Sequence, residues 1–308
     1  MKQFLLIVLA VVVGLAIGAK TNLLSSDGTK PKVEQAVSAY ERVRDTGVLR
    51  CGYVNWKPYY YLEGLESGNK QPTGINYDLM NELGKVAGLK IEWIEEVSSR
   101  DASTRRSDWF PAKWTEAVRS DTIGEGFKTG RYDGVCTSMW ADAAKVRNLH
   151  LSRPIFYSGP HFFARANDKR FDGRFDLINK TDVKIAVIDG APSYKWVKEN
   201  VPDAQVVSLP QGVRDAEYVL ALITKKVDLI IYDPDEVAGY REVNLEQIHM
   251  VEGVPSGWTM PHVMAFADPK LTAMMNVALQ ILIDNGVMEK LRAKYQTHYF
   301  VPVKSLRE

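Results

Sequence analysis

Tyr53, Trp56, Tyr59 and Tyr60 crowd a short stretch near the front of the chain, and Trp140, Asp142 and Lys145 follow a strand-like run at 132–136. An amphipathic aromatic wall suits a small organic ligand. Further on, Ser193 follows Asp189-Gly190-Ala191-Pro192, and Asp233 closes the apolar run Ile230-Ile231-Tyr232. A loop opening a helix favours an anion, although Pro192 removes one backbone donor and leaves Ser193 as the contributor. Each has a plainer reading: the tyrosines pack, Ser193 caps a helix, and Asp233 forms a turn before Pro234.

Signatures of catalysis are sparse. The histidines, His150, His161, His249, His262 and His298, lack the H-E-x-x-H spacing of a metal site. No serine sits in a G-x-S-x-G elbow, and Gly124-x-Gly126 meets Gly130 one residue too late for a dinucleotide fingerprint. Glu95-Glu96, or Asp233 with Asp235, have the chemistry for acid–base work, which keeps an exported lyase or hydratase as an alternative. No cofactor and no metal are expected.

Positioning such residues takes a sizeable scaffold. The 308 residues fit two compact lobes, and 45% hydrophobic with 25% charged residues is ordinary for a globular protein. Lys+Arg number 39 against 38 Asp+Glu, so nucleic acid, which calls for a basic stripe, is not an expected partner. The basic cluster from Arg100 to Arg106 is interrupted by Asp101 and reads as a solvated loop.

Lys2 precedes an apolar run over 4–17, and Ala16-Ile17-Gly18 offers small residues where a signal peptidase reads. Residues 1–18 are therefore expected to be a signal peptide or, uncleaved, a membrane anchor; the run is short of the roughly 20 residues that span a bilayer. No Cys follows it, which argues against a lipid anchor. Residues 19–42 read as a polar tether and a short helix, with Val33, Ala36, Val37, Tyr40 and Val43 at helical spacing. Cys51 and Cys136 fall in expected strands. Export permits a disulfide, but cysteines facing across parallel strands rarely meet its geometry, so two buried free thiols are expected.

Residues 48–54 read as a strand, and Leu79, Met80, Leu83, Val86 and Ala87 form one helix face ended by Gly88. Residues 90–94 alternate as a second strand, completing a parallel strand-helix-strand unit. Residues 98–108 read as an inserted loop and 114–118 as a short helix. The grammar returns later, with strands at 183–188 and 205–209 and helices at 193–199 and 218–223. Asp133 and Asp228 each stand four residues after a Thr and just before an apolar strand. Leu271, Met274, Met275, Ala278, Ile281 and Leu282 form a core-facing helix stripe, Asn285-Gly286 breaks it, and 287–295 makes a last helix.

The segments Gly47-Val48-Leu49-Arg50-Cys51-Gly52, Pro58-Tyr59, Gly74-Ile75-Asn76-Tyr77-Asp78-Leu79, Gly130-Arg131-Tyr132-Asp133, Leu151-Ser152-Arg153-Pro154, Asp189-Gly190 and Val227-Asp228-Leu229-Ile230-Ile231-Tyr232-Asp233 together resemble the family 3 solute-binding proteins of bacterial ABC importers. Their order and spacing, from about Gly47 to about Tyr295, carry the resemblance. It implies an α/β, two-lobe fold of the type II periplasmic-binding-protein kind, with two hinge crossovers and a ligand cleft between lobes. Residues 43–160 plus 258–308 would form lobe 1, and 161–257 lobe 2. A small-molecule ligand, a membrane ABC permease as partner, a monomeric state and a periplasmic location follow, with anchoring to the inner membrane if residues 1–18 stay attached. A membrane-anchored sensor module is a further alternative.

Carried over residue by residue, the resemblance places Tyr59, with Trp56 nearby, at the ligand-stacking aromatic position and Trp140 in the cleft floor. Ser193 falls in the lobe 2 anion loop, and Asp233 falls where the family receives an α-ammonium group. The family's Thr-x-x-Arg is absent: Asp142 and Lys145 stand in its place. Lysine gives a point charge where arginine gives a fork of two hydrogen bonds. An inward-pointing Asp142 would repel a carboxylate and favour a cation or polyol.

Overall fold

The computed structural model describes residues 37–64, 68–95, 116–189, 191–210, 215–238, 245–255 and 259–302. The expected signal, the tether and the loop at 98–108 lie outside these residues, as do Val33 and Ala36. The first described elements are α1 (Ala39–Thr46), β1 (Val48–Tyr53), β2 (Tyr61–Glu63), β3 (Gln71–Thr73), α2 (Ile75–Ala87) and β4 (Lys90–Glu95). Then come α3 (Glu116–Lys128), β5 (Gly134–Trp140), β6 (His150–Leu151) and β7 (Phe156–Ser158). A second group holds β8 (His161–Arg165), α4 (Phe175–Ile178), β9 (Lys184–Ile188), α5 (Pro192–Asn200), β10 (Gln205–Leu209), α6 (Asp215–Ile223), β11 (Leu229–Tyr232), α7 (Pro234–Ala238) and β12 (Ile248–Met250). The chain ends its described part with β13 (Met260–Phe266), α8 (Pro269–Asp284) and α9 (Val287–Tyr295).

Two larger sheets organise these elements. The first runs β4-β1-β5-β13-β6, with β7 also on β13; the second runs β10-β9-β11-β8-β12. The chain crosses from one to the other between β7 and β8 and returns between β12 and β13, so the two crossings expected of a two-lobe α/β fold are present. Each lobe has its own core. Leu49, Cys51, Met264 and Phe266 face α2, α8 and α9, and Val135, Met139, Val263 and Ala265 face Ile123 of α3. In β11, Leu229 and Ile231 pack with Val197 of α5, while Ile230 packs with Tyr218 and Leu222 of α6. Side chains alternate across a strand, so a sheet covered on both faces needs apolar residues at successive positions.

The weak similarity around Asp133 and Asp228 has a structural basis. Asp133, 1% exposed, accepts the Arg50 N–H of β1 at 2.8 Å and pairs with the Arg50 guanidinium at 2.9 Å, with Arg42 on the same carboxylate. Asp228 accepts the Lys184 N–H of β9 at 2.9 Å and is met by Arg170 at 2.5 Å and Arg165 at 3.4 Å. The backbones match too: Asp133 N–H donates to Arg50 at 2.9 Å and Asp228 N–H to Lys184 at 2.8 Å. In each lobe the aspartate clamps the start of the first parallel strand to the strand that follows it.

Three expectations change. Cys51 and Cys136 are joined by a disulfide, with Cα atoms 5.4 Å apart. Both side chains are buried in the same cluster against α2, and at that separation adjacent strands can be bridged without displacing the backbone. Helix α1 begins at Ala39, because Ser38 and Glu41 form a reciprocal capping box. Helix α3 runs well past Val118 despite Gly124 and Gly126, residues that weaken a helix in isolation. Gly126 is required there, since a Cβ would collide with the Tyr132 hydroxyl.

Candidate functional site

The aromatic loop after β1 is held by the start of α2. Ile75 and Asn76 N–H groups, free of intrahelical partners at a helix start, donate to the carbonyls of Pro58 and Tyr59 at 3.0 and 2.9 Å. This approach requires Gly74, at φ 123°, because a side chain there would strike the Tyr59 carbonyl. Trp56 and Tyr60 exchange backbone bonds of 2.7 and 3.0 Å, closing the loop on itself. Trp56 is half-buried and meets Tyr59 edge-on at 5.6 Å. Tyr59 is 2% exposed and stacks on Tyr299 at 6.2 Å, so the half-exposed ring of the pair is Trp56.

Trp140 ends β5 half-buried, and its indole N–H donates to His262 Nε2 at 3.2 Å. Lys145 lies in the 3-10 turn Ala143–Arg147, only 1% exposed, with its ammonium donating to the Trp140 carbonyl. The turn is fixed by Lys145 N–H donating to the Asp142 carbonyl at 3.1 Å. Asp142 itself is exposed, which corrects the inward-pointing alternative: of Asp142 and Lys145, the buried charge is the cation.

His262 was not legible as a site residue; its relation to Trp140 rests on the β5–β13 register, which pairs the two directly. The ring is 1% exposed and lies 5.6 Å from Tyr59 and 5.1 Å from Tyr299. Burial first, and the nearby Lys145 charge second, push its pKa down to about 3. The neutral imidazole accepts from Trp140 through Nε2, while Nδ1 is buried without a hydrogen-bond partner. The only sequence signal was a histidine within an apolar strand, where core packing is the ordinary reading.

On the second lobe, Asp233 follows β11 and is 2% exposed. Its Oδ1 accepts the Asp235 N–H at 2.9 Å, capping α7, which has Pro234 in its first turn. The turn reading of Asp233 thus holds for one oxygen. Ser193 is not a helix cap: Ala191 occupies that position, Pro192 follows, and Ser193 is half-buried inside α5. Gly190 lies outside the described residues. The structure therefore gathers Trp56, Tyr59, Trp140 and Lys145 around His262 and Tyr299 on one lobe, with Asp233 and Ser193 on the other. Among the described residues no group of three or more His, Cys, Asp or Glu is arranged to hold a metal, and no single helix is long and apolar enough to cross a membrane.

Residues 109–298 match the family described as bacterial extracellular solute-binding proteins, family 3. A "Probable histidine-binding protein" of Campylobacter jejuni is 24% identical over 83% of this chain and 84% of its own length. The arginine-binding extracellular protein ArtP of Bacillus subtilis is 23% identical over 96% of this chain and 99% of its own. A membrane-bound lytic murein transglycosylase F of Photobacterium profundum is 23% identical over 84% of this chain, which spans 45% of that protein. Among solved structures, an ancestral cationic amino acid solute-binding protein superposes with a TM-score of 0.60 at 24% identity, covering 84% of this chain and 99% of that one.

Proposed function

The chain belongs to the bacterial extracellular solute-binding proteins of family 3, and on that premise we propose that it binds an amino acid or a related amine between its lobes and delivers it to a membrane permease without chemical change. One observation carries the reading: each lobe buries one candidate charge, Lys145 on the first and Asp233 on the second, and the two signs complement the carboxylate and ammonium of a zwitterion. Trp56, backed by the buried Tyr59, adds an aromatic surface that suits an aliphatic stem or a second cationic group. The relatives named for histidine, arginine and cationic amino acids make L-histidine, L-arginine and the cationic L-lysine the first solutes to try. An exported, periplasmic setting accords with the Cys51–Cys136 disulfide. The proposed lobe limits are 43–160 plus 258–308 and 161–257.

A solute touching both lobes binds the closed arrangement better than the open one and shifts the population toward it by that difference. The test is a thermal-shift screen of the wild type and Asp233→Ala against amino acids, amines, sugars and organic acids. The expected outcome is a wild-type shift that grows with solute concentration as linkage requires and is lost in Asp233→Ala. A full shift in the variant would remove Asp233 from the site.

A further inference from the structure

Asp235 sits in the first turn of α7, and its backbone N–H is the donor that holds Asp233 Oδ1. Its own carboxylate, 5% exposed, is gripped by a distant part of the chain. His298 donates its backbone N–H to both oxygens at 2.9 Å each, and its ring Nδ1 to Oδ1 at 2.9 Å. His298 lies just beyond α9. Two residues later, Phe300 exchanges backbone bonds of 2.8 and 2.9 Å with Tyr157 of β7, the strand that leads into the second lobe. Tyr299, between them, is buried and stacks on Tyr59. One strap therefore touches the aromatic loop, the crossing strand and the turn that carries Asp233.

We propose that His298 and Asp235 are positioning residues for Asp233, holding its carboxylate in one orientation and coupling solute capture on the second lobe to the strand that joins the lobes. The proposal rests on Asp233 being a solute contact. Connected hydrogen bonds in a buried setting fix orientation more firmly than any one of them alone. The groups facing the pair are Asp233 from the end of β11, His161 from β8, and Arg292 of α9, which with His161, Thr297 and His298 lines a depression of about 430 Å³. Burial raises the Asp235 pKa above its ordinary 3.8, against the opposing pull of His298 and His161. Acid therefore protonates this carboxyl earlier than a free one and weakens the clasp.

The experiment uses the full chain and calorimetric titration with L-histidine, L-arginine and L-lysine. His298→Leu removes the ring bond and keeps the backbone N–H, whereas His298→Asn returns an amide N–H to the position of Nδ1. The expected result at neutral pH is an affinity for the tightest of the three solutes at least fivefold weaker in His298→Leu and recovered in His298→Asn. Wild-type affinity should also fall in acid along a profile that Asp235→Asn flattens. An affinity in His298→Leu less than fivefold from wild type overturns the proposal. Should His298→Leu not fold, Asp235→Asn replaces it under the same threshold. If none of the three solutes binds the wild type, the reading of Asp233 has failed on its own. The clasp is then judged by amide exchange of Asp235 and Val237 in the unliganded chain. A fivefold loss of protection in His298→Leu, restored in His298→Asn, supports it; unchanged protection overturns it.

Discussion

An ammonium has three donors, so holding the Trp140 carbonyl and one solute carboxylate together is within the capacity of Lys145. Being a point charge, it orients that carboxylate less strictly than a guanidinium fork. Lys145→Met should weaken L-lysine at least tenfold, about 1.4 kcal/mol, and leave the decarboxylated amine cadaverine unchanged; equal losses in paired titrations would separate Lys145 from the carboxylate. His262 makes a pH statement. Its unfolded ring takes a proton near 6.5 and its folded ring only near 3, so stability from the neutral ring is complete above 6.5 and lost as pH falls toward 3. One such proton contributes a slope of about 1.4 kcal/mol per pH unit. Urea melts across that window should show a shallower acid loss in His262→Gln than in wild type; parallel curves would contradict the assignment. Lys145 and Asp233 could be named as candidates because each sits at a fixed distance from a recognisable motif. His262 and His298 could not, because their partners Trp140 and Asp235 are remote in sequence and only the fold brings them together.

The elements themselves followed from local rules, and the departures have local causes. The apolar face of α2 and the Gly88 stop were visible as period and punctuation, and Gly88 takes the left-handed conformation at φ 67°. The extent of α3 was hidden because glycine lowers propensity, whereas the close approach of Tyr132 that requires Gly126 is a tertiary fact. Cysteines on neighbouring parallel strands rarely meet disulfide geometry, but Cys51 and Cys136 stand 5.4 Å apart between Cα atoms, within bridging range. The disulfide loop closes 85 residues of sequence, so by loop-closure entropy reduction should cost about 4.5 kcal/mol of unfolding free energy. Denaturant melts with and without reductant measure this, and a Cys51–Cys136 peptide in a non-reducing digest establishes the bond. Identical melts would show that the crosslink adds nothing to stability.

At the scale of the whole molecule, two lobes use the same device, an aspartate clamping the first parallel strand of its sheet. They are joined by two crossings and by a C-terminal strap that spans the junction. The two-lobe organisation was readable as grammar, because strand, helix and turn signals recur in both halves, and the two crossings were implied by the family resemblance. What the sequence could not supply was the relation between halves, since the His298–Asp235 contact leaves no local mark. Opposite buried charges on the two lobes, Lys145 and Asp233, make the central claim one of capture without chemistry. Isothermal titration of the wild-type chain with L-histidine, L-arginine and L-lysine tests it most directly. The account expects a saturable one-to-one heat for at least one of them, with the solute recovered intact; a continuing heat of turnover, or no binding heat for any of the three, would contradict it.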